Sequence, residues 1–108
     1  MINVWRVLVG PNDDWPLAMC DFQSVNTQDD VLTNDCLHYN SVGENQILHP
    51  NPAHTWYYLS DQTETEPFVF RNAASRGNRA CAYHASVENP SSKGPPRQSI
   101  EVRVVAFR

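Results

Sequence analysis

The sequence predicts an all-β domain of about six strands joined by long, turn-rich loops, in a sandwich, jelly-roll or partial-barrel arrangement. Three observations carry this reading. Runs of β-branched and aromatic residues with period-two character recur along the chain. No segment keeps a 3.6-residue apolar period beyond a turn or two, and there is no internal repeat, heptad or low-complexity tract. Eight Pro and four Gly, set among many Asn, Ser and Thr, cut the chain into short pieces. With 108 residues, the whole of 1–108 reads as one domain with a single core.

Residues 2–9 (Ile-Asn-Val-Trp-Arg-Val-Leu-Val) form the first expected strand, stopped by Gly10-Pro11-Asn12-Asp13-Asp14. A shorter apolar run covers 17–22. Residues 25–51 are mostly polar, with weak apolar pulses at Val31-Leu32 and Ile47-Leu48. Much of this stretch is expected to be loop, serving as a lid or binding loop or hiding short strands that propensity misses. Residues 54–60 are the densest aromatic segment and predict a strand, with Trp56 and Tyr58 on one face and Tyr57 on the other. After the acidic turn 61–66, residues 67–71 predict a strand that carries Pro at its first position, where a missing N–H is tolerated. A loop at 72–79, a short strand at 80–85 and a turn-rich segment at 88–96 follow. In 99–107, Ile100, Val102 and Val104 alternate with Glu101 and Arg103, so the apolar residues are expected on a buried face and the charged ones in water.

Composition excludes several partners. Twelve acidic against eight basic residues give a net charge of −4, which argues against a nucleic-acid footprint or an anionic-membrane patch. No apolar stretch approaches the roughly 20 residues of a membrane span. No charged and apolar leader precedes the first strand, so the cytoplasm is the expected compartment. Cys20, Cys36 and Cys81 are widely spaced, with no C-x-x-C pair, and are expected to be reduced, small buried hydrophobes.

Four histidines are candidates for chemistry. His38 and His49 sit in polar segments and read as solvated loop residues. His54 and His84 lie at or inside strands beside aromatic residues, where a hydrogen-bonded structural role competes with a catalytic one. His84 is the more informative, because a long turn separates it from Pro96-Arg97-Gln98-Ser99 at the start of the last strand.

These pieces resemble the C-terminal part of the fungal hydroxylase/desaturase family of secondary-metabolite gene clusters, relatives of a subunit of the bacterial cephamycin methoxylase. The matching segments run through the chain in order: Asn3-Val4-Trp5-Arg6, Pro16-Leu17-Ala18-Met19-Cys20-Asp21, Gly43-Glu44, Pro52-Ala53-His54-Thr55-Trp56-Tyr57-Tyr58, Glu66-Pro67-Phe68-Val69-Phe70-Arg71, His84, and Pro96-Arg97-Gln98-Ser99-Ile100-Glu101-Val102-Arg103. The resemblance implies a partial double-stranded β-helix (jelly-roll or cupin-like). It also implies that His84 corresponds to the second histidine of an iron triad and Arg97 to the residue that binds the 2-oxoglutarate carboxylate. Family members are more than twice as long, and their first two iron ligands, a His and an acid two residues later, lie upstream of the first strand here. Within this chain no His has an acid two residues on: Asn40, Asn51, Trp56 and Ser86 stand there. Where the family carries an Asp before a Ser, this chain has Ala73-Ala74-Ser75.

The expectation is therefore a small tailoring enzyme of fungal secondary metabolism that binds a polyketide-, terpenoid- or alkaloid-like intermediate without metal or other cofactor. It would assist an isomerisation, cyclisation or dehydration by acid–base chemistry. His84, Arg97 and His54 are the expected catalytic residues, His84 moving the proton and Arg97 holding a carboxylate, enolate or carbonyl oxygen, with a structural ion pair to Glu101 or Glu66 as the competing role for Arg97. Trp56, Tyr58, Tyr83, Ser99, Asp21 and Glu66 are the expected substrate-binding residues. Core packing is the competing role for the aromatic residues; for Asp21 and Glu66, orientation of His54 or His84 competes with the reading as exposed strand-end acids. Two alternatives remain open: a non-catalytic binding or partner module that completes an oxygenase, and residual Fe(II)/2-oxoglutarate activity. Half of a β-helix exposes strand edges and an apolar inner face, so a homodimer is expected, two copies forming a composite barrel with the pocket at or near their interface.

Overall fold

A computed structural model describes residues 1–74 and 79–107. The loop expected at 72–79 lies partly outside the described residues. The remainder is all-β, as expected, with eight strands rather than about six. These are β1 (Ile2–Val7), β2 (Leu17–Cys20), β3 (Val31–His38), β4 (Ser41–Leu48), β5 (Trp56–Tyr57), β6 (Phe68–Arg71), β7 (His84–Ser86) and β8 (Ser99–Val104), with one 3-10 turn at Phe22–Ser24. They form three antiparallel sheets, ordered β6-β1-β8, β5-β2-β7 and β3-β4.

The first two sheets face each other. Trp5 and Val7 of β1, Leu17 of β2 and Phe70 of β6 are buried together, and Met19, Phe68 and Ala82 pack against them. The parity of β1 decides which side of its sheet this is. Trp5 and Val7 point inward, so Asn3 does too, and the register Asn3↔Arg103, Trp5↔Glu101 and Val7↔Ser99 puts Ser99, Glu101 and Arg103 on that inner side. Ile100, Val102 and Val104 consequently face outward beside Val4 and Val69, about half exposed, which reverses the faces expected from alternation in β8. Hydrophobic alternation fixed the period, and the larger side chains of β1 fixed the sign.

The segment expected to be mostly loop is the longest regular element of the chain. β3 and β4 pair over eight residues each, from Val31↔Leu48 to His38↔Ser41. Propensity missed them because Asn34, Asp35, Asn45 and Gln46 are held by hairpin pairing rather than by burial, and most of the hairpin is exposed. At the other end of the sandwich, the loop after β1 closes onto the turn before β6 through Asn12 N–H to Gln62 O (2.9 Å) and Gln62 N–H to Asn12 O (3.3 Å). A Cβ on Gly10 would sit 2.9 Å from Gln62 O and from Thr63 Cα, so only glycine permits that approach.

Two other expectations are corrected. The strand at 54–60 shrinks to Trp56–Tyr57, and Trp56, Tyr57 and Tyr58 are all exposed rather than core, because β5 is an edge with nothing outside it. The strand at 80–85 starts at His84 and ends at Ser86. Cys20, Cys36 and Cys81 are free thiols as expected, but only Cys20 is buried. No helix among the described residues is long and apolar enough to cross a membrane.

Candidate functional site

Between the β3-β4 hairpin and the rim of the sandwich lies an open cleft of about 1410 Å³. One wall comes from residues 44–48 of β4, another from 81–85 leading into β7, and its ends include His54, Trp56 and Arg103. Among the expected site residues, His84, His54, Trp56 and Tyr83 line this cleft. Arg97, Ser99, Asp21, Glu66 and Tyr58 do not.

His84 is half-buried, and its ring is fixed twice. Phe70 lies against it with ring centroids 4.7 Å apart, and Nδ1 lies 2.8 Å from Ala82 O. A carbonyl oxygen only accepts, so Nδ1 carries the hydrogen of the neutral ring, and Nε2 keeps the lone pair. This is the arrangement in which an imidazole takes a proton or a metal through Nε2, with the second nitrogen anchored on the backbone.

Arg97 reaches the next same-side position of β7. Nη1 donates to Ser86 Oγ (2.8 Å) and to Trp15 O, and the backbone N–H donates to Asp14 Oδ2 (2.8 Å). The guanidinium carbon lies 5.5 Å from the centre of the Trp5 ring. These contacts bring His84 and Arg97 to the same stretch of β7 and occupy Arg97 with the protein's own acceptors. Neither Glu101 nor Glu66 is among them, so the ion pair considered from sequence does not form.

His54 is a buried partner of Asp30. Nε2 lies 2.9 Å from Asp30 Oδ2, and both side chains are almost wholly inaccessible. Asp30 also accepts from Asn51 Nδ2 (2.9 Å) and Asn26 N–H (2.8 Å), and its carbonyl accepts from His49 N–H (2.8 Å). The Asn51 amide, the His54 ring and the Asn26 N–H together hold the Asp30 carboxyl below the usual carboxylate range. This knot ties both ends of the hairpin to the body of the molecule.

The remaining candidates have local partners. Tyr83 stacks on Phe22 (centroids 6.4 Å apart) and donates to Gln46 Oε1 (3.0 Å), bridging the cleft to β4. Burial, with a smaller contribution from Cys81, pushes its phenol up to about 12. Asp21 Oδ1 caps the 3-10 turn through Gln23 N–H (3.0 Å). Glu66 Oε2 accepts from the Thr63 N–H (2.8 Å) and hydroxyl (2.7 Å), which lowers its carboxyl. Neither acid touches His54 or His84, so of the two roles considered from sequence the orienting one is not what the structure shows. Asp30 and the Ala82 carbonyl orient the two rings instead. Ser99 opens β8 opposite Val7. Burial pushes the Cys20 thiol up, which leaves it a poor nucleophile.

Sequence reasoning passed over one cluster. Asn3, wholly buried, donates from Nδ2 to Glu101 Oε1 (2.9 Å) and accepts at Oδ1 from Arg103 Nε (3.3 Å), while Arg103 Nη2 lies 3.5 Å from Glu101. The available signal was parity. Asn3 shares the face of Trp5, so a polar residue had been placed on the side where burial is expected.

Comparison with known proteins decides the family. The oxidoreductase/YMDC permease-like domain matches residues 1–107. The chain belongs to this family. Among related proteins, aspirochlorine biosynthesis protein N of Aspergillus oryzae is 31% identical over 99% of this chain and 47% of its own length. The Fe(II)/2-oxoglutarate-dependent dioxygenase nvfI of Aspergillus novofumigatus is 34% identical over 97% of this chain and 39% of its own. The hydroxylase/desaturase efuI of Hormonema carpetanum is 29% identical over 99% and 40%. A solved structure of the iron and alpha-ketoglutarate-dependent endoperoxidase NvfI superposes with a TM-score of 0.78 at 32% identity, over 93% of this chain and 38% of that one. The chain is thus related to fungal secondary-metabolite 2-oxoglutarate oxygenases and has the matching part of their double-stranded β-helix, as the sequence motifs implied. It spans less than half the length of these relatives.

Iron and 2-oxoglutarate, which the relatives' names imply, need a ligand set that these residues do not supply. His84 is suited to donate one nitrogen. Among the described residues no three His, Cys, Asp or Glu side chains converge in a way that could hold a metal ion. Arg97, the expected carboxylate fork, is engaged by Ser86 and Trp15.

Proposed function

We propose that the chain binds a small, partly apolar metabolite in the cleft and acts on it by proton transfer through His84 Nε2. The observation that supports this reading is the Nδ1 contact to Ala82 O, which in the neutral ring leaves the lone pair on Nε2 of a residue of the cleft wall. Trp56, with Ile47 and Leu48, offers the apolar wall, and Tyr83 closes the cleft toward β4. Arg97 holds Ser86 and thereby the end of β7, and His54 holds the hairpin through Asp30. The reaction class is isomerisation, cyclisation or dehydration of a secondary-metabolite-like ketone or hydroxyketone. The apolar outer stripe of Val4, Val69, Ile100, Val102 and Val104 supports a homodimer as the working form.

The test is enolisation of a model ketone. 2-Tetralone in D2O, followed by proton NMR, should exchange its α-protons faster with the protein than with His84→Gln, and EDTA should not change the rate. Equal exchange with both proteins removes His84 from the mechanism. A second reading has a specific observation behind it: relatives more than twice as long carry iron and 2-oxoglutarate in their names. Under it, the chain supplies His84 to a site completed by further polypeptide. Fe(II)-dependent succinate formation from 2-oxoglutarate by this chain joined to the upstream portion of a longer relative, lost on His84→Gln, would favour that reading over the first.

A further inference from the structure

The inner face of the β6-β1-β8 sheet changes character along one row. Phe70, Asn3 and Arg103 are directly opposite one another on successive strands. Phe70 carries the His84 ring, and Arg103, two strand spacings or about 10 Å further on, lines the same cleft. An amide buried in the middle of such a face costs stability unless both its atoms are paired, and an apolar residue would serve a purely structural role better. Both atoms of the Asn3 amide are paired, by Glu101 and Arg103 of β8. The effect is to bias the guanidinium of this half-exposed side chain, with Nε on Asn3 Oδ1 (3.3 Å) and Nη2 beside Glu101 Oε1 (3.5 Å). Among the described residues no acceptor of the protein meets Nη1.

We propose that Arg103, oriented by Asn3 and Glu101, binds an oxygen of the cleft ligand, and that the ligand class is therefore a small organic acid, or an enol acidic enough to ionise, with an apolar ring body. This deepens the cleft-binding reading above and rests on it. Arg97 has the fork expected for this task, but its fork is directed at Trp15 O and Ser86 Oγ. Arg103 lines the cleft with the edge of its guanidinium unspent, and a preoriented fork loses little freedom when a carboxylate docks. His84 lines the same cleft, so a ligand held by one oxygen on Arg103 leaves its ring body free to meet His84.

The matched probes 1-naphthylacetate and 1-naphthylacetamide, equal in shape and different in charge, separate the two claims by calorimetric titration at constant salt. The wild-type protein should bind both and prefer the acid. Arg103→Gln should weaken the acid at least tenfold and leave the amide within twofold. Arg103→Lys, which keeps the charge and loses the planar fork, should recover part of the loss and decides the matter if the Gln variant fails to fold. Arg6→Gln, on the opposite face of β1, controls for net charge and should change neither. Loss of acid and amide affinity in parallel, or an equal loss in Arg6→Gln, overturns the role of Arg103 and leaves the cleft standing. Failure of the wild-type protein to bind either probe overturns the cleft reading and this inference with it.

Discussion

At the scale of single residues, the two candidate histidines are held by partners that leave no mark in a sequence. His84 was legible as a strand histidine upstream of an Arg-x-Ser, yet the group that sets its tautomer is a peptide carbonyl at Ala82. His54 was legible as a structural or catalytic histidine, and its partner Asp30 was not, because the two are brought together only when the hairpin between them closes. Asp30 yields a prediction with a definite sign. Its folded-state pKa is depressed, so the stabilisation is present above the unfolded value near 3.9 and is lost as pH falls through the folded one. Asp30→Asn should lower the melting temperature at neutral pH, and the gap to wild type should shrink as the buffer is taken below about pH 4. A gap independent of pH contradicts the knot. Tyr83 gives the alkaline counterpart. Its folded pKa is raised to about 12, so its contribution is intact below about 10 and is lost as pH rises through 12. Ultraviolet titration should show one phenol ionising near 12 that is missing in Tyr83→Phe.

Elements divide into a sandwich with a core and a hairpin without one. Strands β1, β6 and β8 were legible because branched and aromatic residues cluster in them, and the register was not, since alternation alone does not say which parity the core takes. Trp5 and Val7 settle it. The hairpin was illegible because it pairs only with itself and buries little. Amides of β3 and β4 should therefore exchange with D2O well before those of β1, which is bonded on both sides. Uniform protection across both elements contradicts this division. Phe70 belongs to the sandwich core and also supports His84. Phe70→Ala should cost about 3–5 kcal/mol in chemical denaturation, and Phe70→Leu much less, while both release the His84 ring. A loss below about 1 kcal/mol for Phe70→Ala would mean that the two sheets are not packed as described.

At the scale of the molecule the chain is loose for its length. Its radius of gyration is 15.2 Å, against about 13 Å for a compact domain of this size. Only six hydrophobic side chains are buried among the described residues, and the outer stripe on β1, β6 and β8 is open. The family and the β-helix portion were legible in ordered motifs, and the short length relative to the family was legible too. Which apolar face is exposed needed the register of β8. Sedimentation at micromolar concentration should find a dimer, and Val102→Asp should shift it to monomer without unfolding the sandwich. A wild-type monomer contradicts the pairing. In the proposed reaction His84 offers its Nε2 lone pair to a ligand in the cleft, and histidine-selective 15N NMR reads that nitrogen directly. Neutral His84 should be the Nδ1–H tautomer, and its Nε2 resonance should change when 1-naphthylacetate is added. An Nε2–H tautomer, or an Nε2 signal unmoved at saturating probe, would contradict that role.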